Sequence, residues 1–338
     1  MKAAVIGLGR MGRRHIQALR ALGMELVGAA DPFEASIEAT VKELAVPRKQ
    51  LYRDAEELMS AVRPEVLIIA TTAPAHAPLT IRAAKAGVKY ILCEKPMASS
   101  LEEFDEMLAV CERHNAKLAI NHQMRFMEQY LEARRLIEAA DFGGWASINV
   151  IAGNFGLAMN GTHYFELLRW LSGSAPDTVN AWFSKNPVAS PRGPAFFDRA
   201  GQVRLTTAND KRMFMDIGDD QGHHICVVYA GRTGMLIADE LGGKIDSTVR
   251  ASEHRDLPTT RYGMPGPMKR LEVAPADAVV PSQRVLEALV AERDFPTGED
   301  GRISLETLVA AYVSSESGGR SVRVRGIELP RNRIFDYA

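Results

Sequence analysis

Cysteine is scarce: Cys93, Cys111 and Cys226 are the only three in 338 residues, widely spaced and odd in number. That excludes a disulfide framework and points to reduced, mostly buried thiols of a cytoplasmic protein. None has a neighbouring ligand at zinc spacing, and the adjacent His223 and His224, if on a strand, point to opposite faces, so no metal is expected. A surplus of either charge is also missing. With 41 Lys and Arg against 42 Asp and Glu, the formal net charge is −1. No basic excess exists to neutralise phosphates, so nucleic acid is not an expected partner. No apolar run reaches the length needed to cross a bilayer, and no membrane partner is expected. The N-terminus has one lysine, Lys2, and goes straight into the glycine strand, so no signal peptide is expected. Internal repeats and low-complexity tracts are lacking too.

What remains is ordinary globular composition, 46% hydrophobic and 25% charged. At 338 residues the chain exceeds what one hydrophobic core usually fills, so two domains are expected. The most informative stretch is Lys2 to Gly12. A short apolar strand, Lys2 to Ile6, runs into Gly7-Leu8-Gly9-Arg10-Met11-Gly12 and then into a helix-like stretch, Arg13 to Leu22. Strand, glycine turn and helix in this order suit a dinucleotide pyrophosphate. Gly7 permits the tight turn, Gly9 lets backbone approach phosphate, and Gly12 allows close strand–helix packing. N–H groups at the helix start, from Arg10 and Met11 onward, and the helix dipole favour the negative charge. A second strand, Glu25 to Ala30, ends on Asp31, about 20 residues past the glycines, where a carboxylate accepts from adenosine ribose hydroxyls. An acid there repels a 2′-phosphate, so NAD is expected over NADP.

The first third alternates strands and helices. Helical stretches are expected at Phe33–Leu44, Ala55–Val62, His76–Ala86 and Leu101–Arg113, and strands at Val66–Ala70, Lys89–Cys93 and Lys117–Ile120. Short connections between such units predict a doubly wound parallel sheet. Near Met124 the rhythm changes. Helices are expected at Glu128–Ala140 and Thr162–Leu171, with a strand at Ala146–Asn154 between them. From Thr178 to about Arg250 alternating segments predict a large, mostly antiparallel sheet with one helix-covered face. A helix at Arg302–Ser317 and a strand at Ser321–Arg323 follow. Ser190–Gly201 and Ser252–Met268 read as loops.

Cys93-Glu94-Lys95-Pro96 is the second signal. A lysine at the carboxyl end of an apolar strand sits where open α/β sheets bind ligands, and the following proline restricts Lys95 to extended geometry and makes a cis bond available. With the glycine motif, this Glu-Lys-Pro resembles the glucose–fructose oxidoreductase / inositol dehydrogenase / rhizopine catabolism family. Asn121-His122-Gln123-Met124-Arg125-Phe126 resembles its crossover between domains, Gly161 to Leu171 its active-site helix, and Asp300-Gly301-Arg302 through Val322 its C-terminal signature. The resemblance implies an α/β Rossmann domain over 1–122 and an α+β domain over 123–338. The second would bind substrate and, through its open sheet, mediate a homodimer or homotetramer.

The resemblance also implies a nicotinamide-dependent oxidoreductase of sugars, cyclitols or nucleotide sugars. It places cofactor contacts at Thr71, Thr72, His76, Glu94, Lys95 and Gln123, a catalytic lysine at Lys95 and a catalytic histidine at His163. Arg125, Asn160 and Glu166 are candidate substrate residues. This chain departs from the family at Met159, where many relatives have aspartate, and at Glu166, where aspartate is common. Alcohol oxidation needs a base for the hydroxyl proton, and a histidine suits it. An ammonium beside the same oxygen stabilises alkoxide character. His163 is read as general base and Lys95 as oxygen polariser and relay partner, with exchange of the two roles left open. Each site residue also has a plainer reading. His76 could be a helix-start residue, Asn160 an N-cap, Arg125 a salt-bridge partner, and Glu166 a mere helix-surface residue. His15, His114 and His254 receive no role. Two other functions share the fold: a glycosidase acting by transient oxidation with retained NAD, and a redox-silent regulator that binds dinucleotide.

Overall fold

The computed structural model describes residues 1–153, 155–190, 192–258 and 266–337. The chain divides into two compact units, one of Met1–Gln123, Ala278–Leu305 and Pro330–Ala338, the other of Met124–Asp277 and Glu306–Leu329. The crossover falls one residue from the expected 122/123 division. Residues 278–305 and 330–338, however, belong with the first unit, not the second.

In the first unit β1 (Lys2–Ile6), α1 (Arg10–Ala21), β2 (Glu25–Ala30), α2 (Glu34–Leu44), β3 (Leu51–Tyr52) and α3 (Ala55–Val62) come first. They are followed by β4 (Val66–Ile69), α4 (Ala73–Lys85), β5 (Tyr90–Cys93), α5 (Leu101–Arg113) and β6 (Lys117–Ile120). Every strand pair is parallel, in the order β3-β2-β1-β4-β5-β6. The order reverses between β1 and β4, and a crevice outside the carboxyl ends at such a point is where ligands bind. β4 and β5 are buried at all positions, as apolar strands covered on both faces must be. Asp54 and Ser100 cap α3 and α5 with side-chain oxygens. α4 begins at Ala73, earlier than expected, because Pro74 in its first turn has no hydrogen bond to lose there.

The second unit opens with α6 (Glu128–Ile137), β7 (Trp145–Gly153), α7 (Thr162–Ser172) and β8 (Pro176–Phe183). A small pair, β9 (Val188–Ala189) and β10 (Phe197–Asp198), precedes β11 (Gly201–Thr207), β12 (Arg212–Gly218) and β13 (Cys226–Gly231). β14 (Gly234–Asp239), β15 (Lys244–Val249) and β16 (Met268–Glu272) follow, then α8 (Val279–Val290), α9 (Gly298–Glu316) and β17 (Val322–Arg323). The large sheet runs β16-β15-β14-β13-β7-β12-β11-β8-β17, parallel only between β7 and β12. Alternation along its strands buries Val150, Met215, Val227, Leu236 and Ile245 on one face. On the other face Ile151, Phe214, Met235 and Ile237 are 36 to 42% exposed.

Some expectations change. β10 lies inside the expected 190–201 loop and the first residue of β16 inside the 252–268 loop; of these two loops, Pro191 and residues 259–265 fall outside the described residues, as does Asn154 at the end of the β7 prediction. β15, β16 and α8 were not separately anticipated. His223 and His224 precede β13 instead of lying on a strand, so the opposite-face argument does not apply; His223 bonds its neighbours, Nδ1 to the His224 carbonyl and Nε2 to the Gln221 amide oxygen. No described helix is long and apolar enough to cross a membrane.

Candidate functional site

The glycine turn joins β1 to α1. Gly7 has φ +90°, and a Cβ there would stand 2.5 Å from the Ala70 carbonyl oxygen. A Cβ on Gly12 would lie 1.7 Å from the Gly7 carbonyl oxygen, so helix and strand could not close on a side chain. A Cβ on Gly9, by contrast, would meet nothing within 4 Å. Gly9 is the N-cap of α1 without a side-chain cap bond, and the first turn holds no acid. An open backbone at a helix start with no competing carboxylate fits a pyrophosphate. Asp31, buried at the tip of β2, fixes this turn: Oδ2 accepts from the Leu8 N–H at 2.7 Å and Oδ1 from the Phe33 N–H at 2.9 Å. Its remaining lone pairs are available to hydroxyl donors.

The same carboxyl-end edge of the sheet carries Thr71, Glu94 and Lys95. Lys95 is half-buried, and the Lys95–Pro96 bond is cis. Glu94 is almost wholly buried, and its Oε1 accepts from His15 Nε2 and from Asn121 Nδ2, both at 2.8 Å. Asn121 Nδ2 also reaches Ser282 Oγ at 3.1 Å. Burial pushes the Glu94 carboxyl up, but the His15 hydrogen bond and charge, the Lys95 charge and Asn121 outweigh it and hold it at about 2. Glu94 is thus a buried anion beneath Lys95, with α1 supplying His15 and α8 supplying Ser282. His76 is fully buried in the first turn of α4, with ring nitrogens against the Pro96 and Thr71 carbonyls. Both Glu94 and His76 were expected as cofactor contacts, yet each is turned inward onto protein partners. Gln123 is buried, and its Oε1 has no partner among the described residues, which leaves an acceptor for a ligand donor such as a carboxamide. The residues present fit a dinucleotide.

In the second unit a π-helical turn, Leu157–Gly161, leads directly into α7. Its start is capped from forty residues away: Asp198 accepts from the Ala158 and Met159 N–H groups at 2.9 and 2.8 Å. Asn160 is therefore not the N-cap; it lies half-buried within the π turn. Met159, Phe155, Val188 and Asp198 line a cavity of about 250 Å³ one turn before His163. His163 and Glu166 are both buried. Glu166 holds the Arg169 guanidinium with both oxygens, at 2.6 and 2.8 Å, and Arg125 Nη1 lies 3.5 Å from its Oε1.

Beside His163, Tyr164 belongs to a cluster that the sequence did not reveal. Glu240 is fully enclosed, accepting from the Tyr130 hydroxyl and, at 2.9 Å, from the Tyr164 hydroxyl. Burial raises its carboxyl to about 7, against the two tyrosine bonds, with the nearby Asp239 charge adding to the rise. Burial likewise pushes the Tyr130, Tyr164 and Tyr229 phenols well up. His15 and Glu240 were missed for one reason: their partners are 79 and at least 76 residues distant, and no local spacing signals them.

Residues 1–122 match the model of an oxidoreductase family with an NAD-binding Rossmann fold. A D-apiose dehydrogenase of Paraburkholderia graminis is 27% identical over 97% of this chain and 90% of its own. The scyllo-inositol 2-dehydrogenase (NAD(+)) of Bacillus subtilis is 30% identical over 42% of each chain. In fold, the chain is similar to an oxidoreductase from Agrobacterium radiobacter solved with NAD+, L-tartaric acid and magnesium, with a TM-score of 0.79 at 18% identity over 96% of this chain and 98% of that one. The glycine turn and the Glu94-Lys95-Pro96 strand end thus lie within the stretch, residues 1–122, that matches the oxidoreductase family with an NAD-binding Rossmann fold, and these matches support the likeness to the glucose–fructose oxidoreductase / inositol dehydrogenase / rhizopine catabolism oxidoreductases.

Proposed function

We propose that the protein transfers hydride between NAD and a secondary hydroxyl or keto group of a sugar, cyclitol or nucleotide-sugar derivative. The observation that carries this reading is Lys95 at the carboxyl end of β5, on the same sheet edge as the open Gly9 turn. Gly7, Gly9, Arg10, Met11 and Gly12 would hold the pyrophosphate, Asp31 the adenosine ribose, and Thr71, Thr72 and Gln123 the nicotinamide end. The bound nicotinamide supplies the hydride acceptor or donor. Lys95 polarises the substrate oxygen, and His163 takes or returns its proton, the exchange of these two roles being the variant of the same scheme. Arg125 and Glu166, buried and paired with each other, brace α7, while Asn160 is assigned to the substrate side. The names of the D-apiose and scyllo-inositol relatives support a polyhydroxylated substrate.

A screen of sugars, cyclitols and nucleotide sugars for NAD reduction, followed by NADH absorbance, tests the reading. Co-purified NAD without net NADH formation would favour the transient-oxidation glycosidase instead. Cofactor choice has its own test. Asp31→Asn keeps an acceptor for the glycine turn but removes the charge. It is expected to weaken NAD by about 10-fold or more, as loss of a charge-assisted hydrogen bond does, and to relax rejection of NADP. Fluorescence titration with both coenzymes checks this, and an unchanged preference contradicts the assignment.

The exposed face of the nine-stranded sheet is assigned to a homodimer or homotetramer contact, since Ile151, Phe214, Met235 and Ile237 form an apolar patch on it. Ile237→Lys is expected to lower the sedimenting mass, and the same mass as wild type removes the assignment. The buried Cys93 and Cys111 thiols suit a cytoplasmic setting.

A further inference from the structure

Both ring nitrogens of His76 face backbone carbonyl oxygens. Its Nδ1 lies 2.7 Å from the Pro96 carbonyl oxygen and its Nε2 lies 3.2 Å from the Thr71 carbonyl oxygen. The ring is wholly buried. A carbonyl oxygen only accepts. A neutral imidazole has one N–H, so it would bond one carbonyl and turn a lone pair onto the other. The imidazolium alone donates to both. The shorter contact also falls in the range of charge-assisted bonds, about 2.7–2.9 Å.

The two carbonyls occupy telling places. Thr71 follows β4 and Pro96 follows Lys95 at the end of β5, so one ring ties together the two adjacent strand ends of this edge. Glu94 is already fixed on the other side of Lys95 by His15 and Asn121. Lys95 thus stands between two anchored residues, one held through its carboxylate and one through its backbone carbonyl. On the elements that pack against α4, the charged residues include Glu94 and Lys95, which follow β5, and Glu102 and Glu103 in the first turn of α5. The amino end of α4 does not favour a cation, so the two carbonyls must supply the stabilisation.

We propose that His76 is a positioning residue held as a doubly protonated imidazolium, which joins the Thr71 and Pro96 carbonyls and so fixes the backbone that presents Lys95. The proposal rests on the reading of Lys95 as catalytic. It explains why the structure turns this histidine away from solvent: its function is exerted through Lys95 and Thr71, not through contact with coenzyme.

The first test uses the unmutated, coenzyme-free protein. Ring 1H–15N spectra of 15N-histidine-labelled protein near pH 8, with His76 assigned by its loss in His76→Gln, are expected to show both ring nitrogens protonated. Free histidine at that pH has a neutral ring. A singly protonated His76 overturns the proposal, whether or not any variant folds. The second test compares His76→Phe, which removes both donors, with His76→Gln, which restores one. For a substrate found by the screen, Phe is expected to lower kcat by about 10-fold or more, with NAD affinity within about 3-fold of wild type, the range a displaced catalytic group produces. Gln is expected to recover part of the loss. Competitive acetylation of Lys95, read by mass spectrometry without coenzyme, is expected to change in Phe more than in Gln. Wild-type kcat and wild-type Lys95 acetylation in Phe overturn the proposal. Lys95→Met keeps the two ideas apart: normal turnover there removes the role of Lys95, whereas the His76 spectrum and the Lys95 acetylation are read without it.

Discussion

Lys95→Met is expected to lower kcat by about 10²–10³-fold, the cost of removing one preorganised stabiliser of a developing oxyanion. Methionine keeps most of the stem volume and loses only the ammonium, and the residue's backbone stays fixed by Glu94 and Pro96. NAD affinity should therefore change little, so that the loss falls on kcat. His163→Asn, which removes the proposed general base, is expected to cost about 10²–10⁴-fold. If the two side chains work in one relay, the double variant will be far less impaired than the product of the single losses. Single-turnover rates with NADH absorbance, together with NAD titrations, provide the measurement. Near-normal rates in both single variants would end the scheme. A loss in KM alone would make Lys95 a uniform binding group.

Glu240→Gln is expected to flatten a fall in stability that the wild type undergoes between about pH 4.5 and 7. The sign follows from the carboxyl's rise from 4.5 to about 7 on folding. Below 4.5 it is protonated in both states and its full contribution is present. As pH rises to about 7, the unfolded chain releases the proton while the folded chain retains it, and stability falls. The difference corresponds to about 3 kcal/mol by linkage. Glutamine cannot ionise, keeps an acceptor for one tyrosine hydroxyl and offers N–H to the other. Relative to wild type it should gain about 3 kcal/mol at pH 8 and little at pH 4.5. Urea denaturation of both proteins at the two pH values checks this. A difference that does not vary with pH would show that Tyr130 and Tyr164 shelter the carboxylate better than burial penalises it.

Much of the first unit was legible because its signals are local. Gly7 makes the tight turn and Gly12 the close strand–helix approach that their spacing implied, and α3, α5 and β6 match their expected bounds, helped by Asp54 and Ser100 caps. The strand-end position of Lys95 followed from the apolar run before it. What the sequence hid depends on distant partners. Asp198 caps the turn before α7, so Asn160, the obvious local candidate, is not needed for it. α8 was not anticipated, and its Pro281 stands in the first helical turn, where proline is tolerated. His76 and Glu94 were rightly tied to the edge of the sheet, but their inward orientation depends on carbonyls and amides that no motif spells out.

The Glu94 network spans chain positions from 15 to 282. A truncated protein ending at 122 would keep every recognisable coenzyme motif except Gln123, yet it would lack Ser282 and the helix that packs on α1. Ile16 and Leu19 on α1 are fully covered in the intact chain, and losing that helix would bare the flank facing it. Such a fragment would make a poor stand-alone coenzyme trap, and any chimera that swaps catalytic halves should carry 278–305 along with the amino-terminal portion.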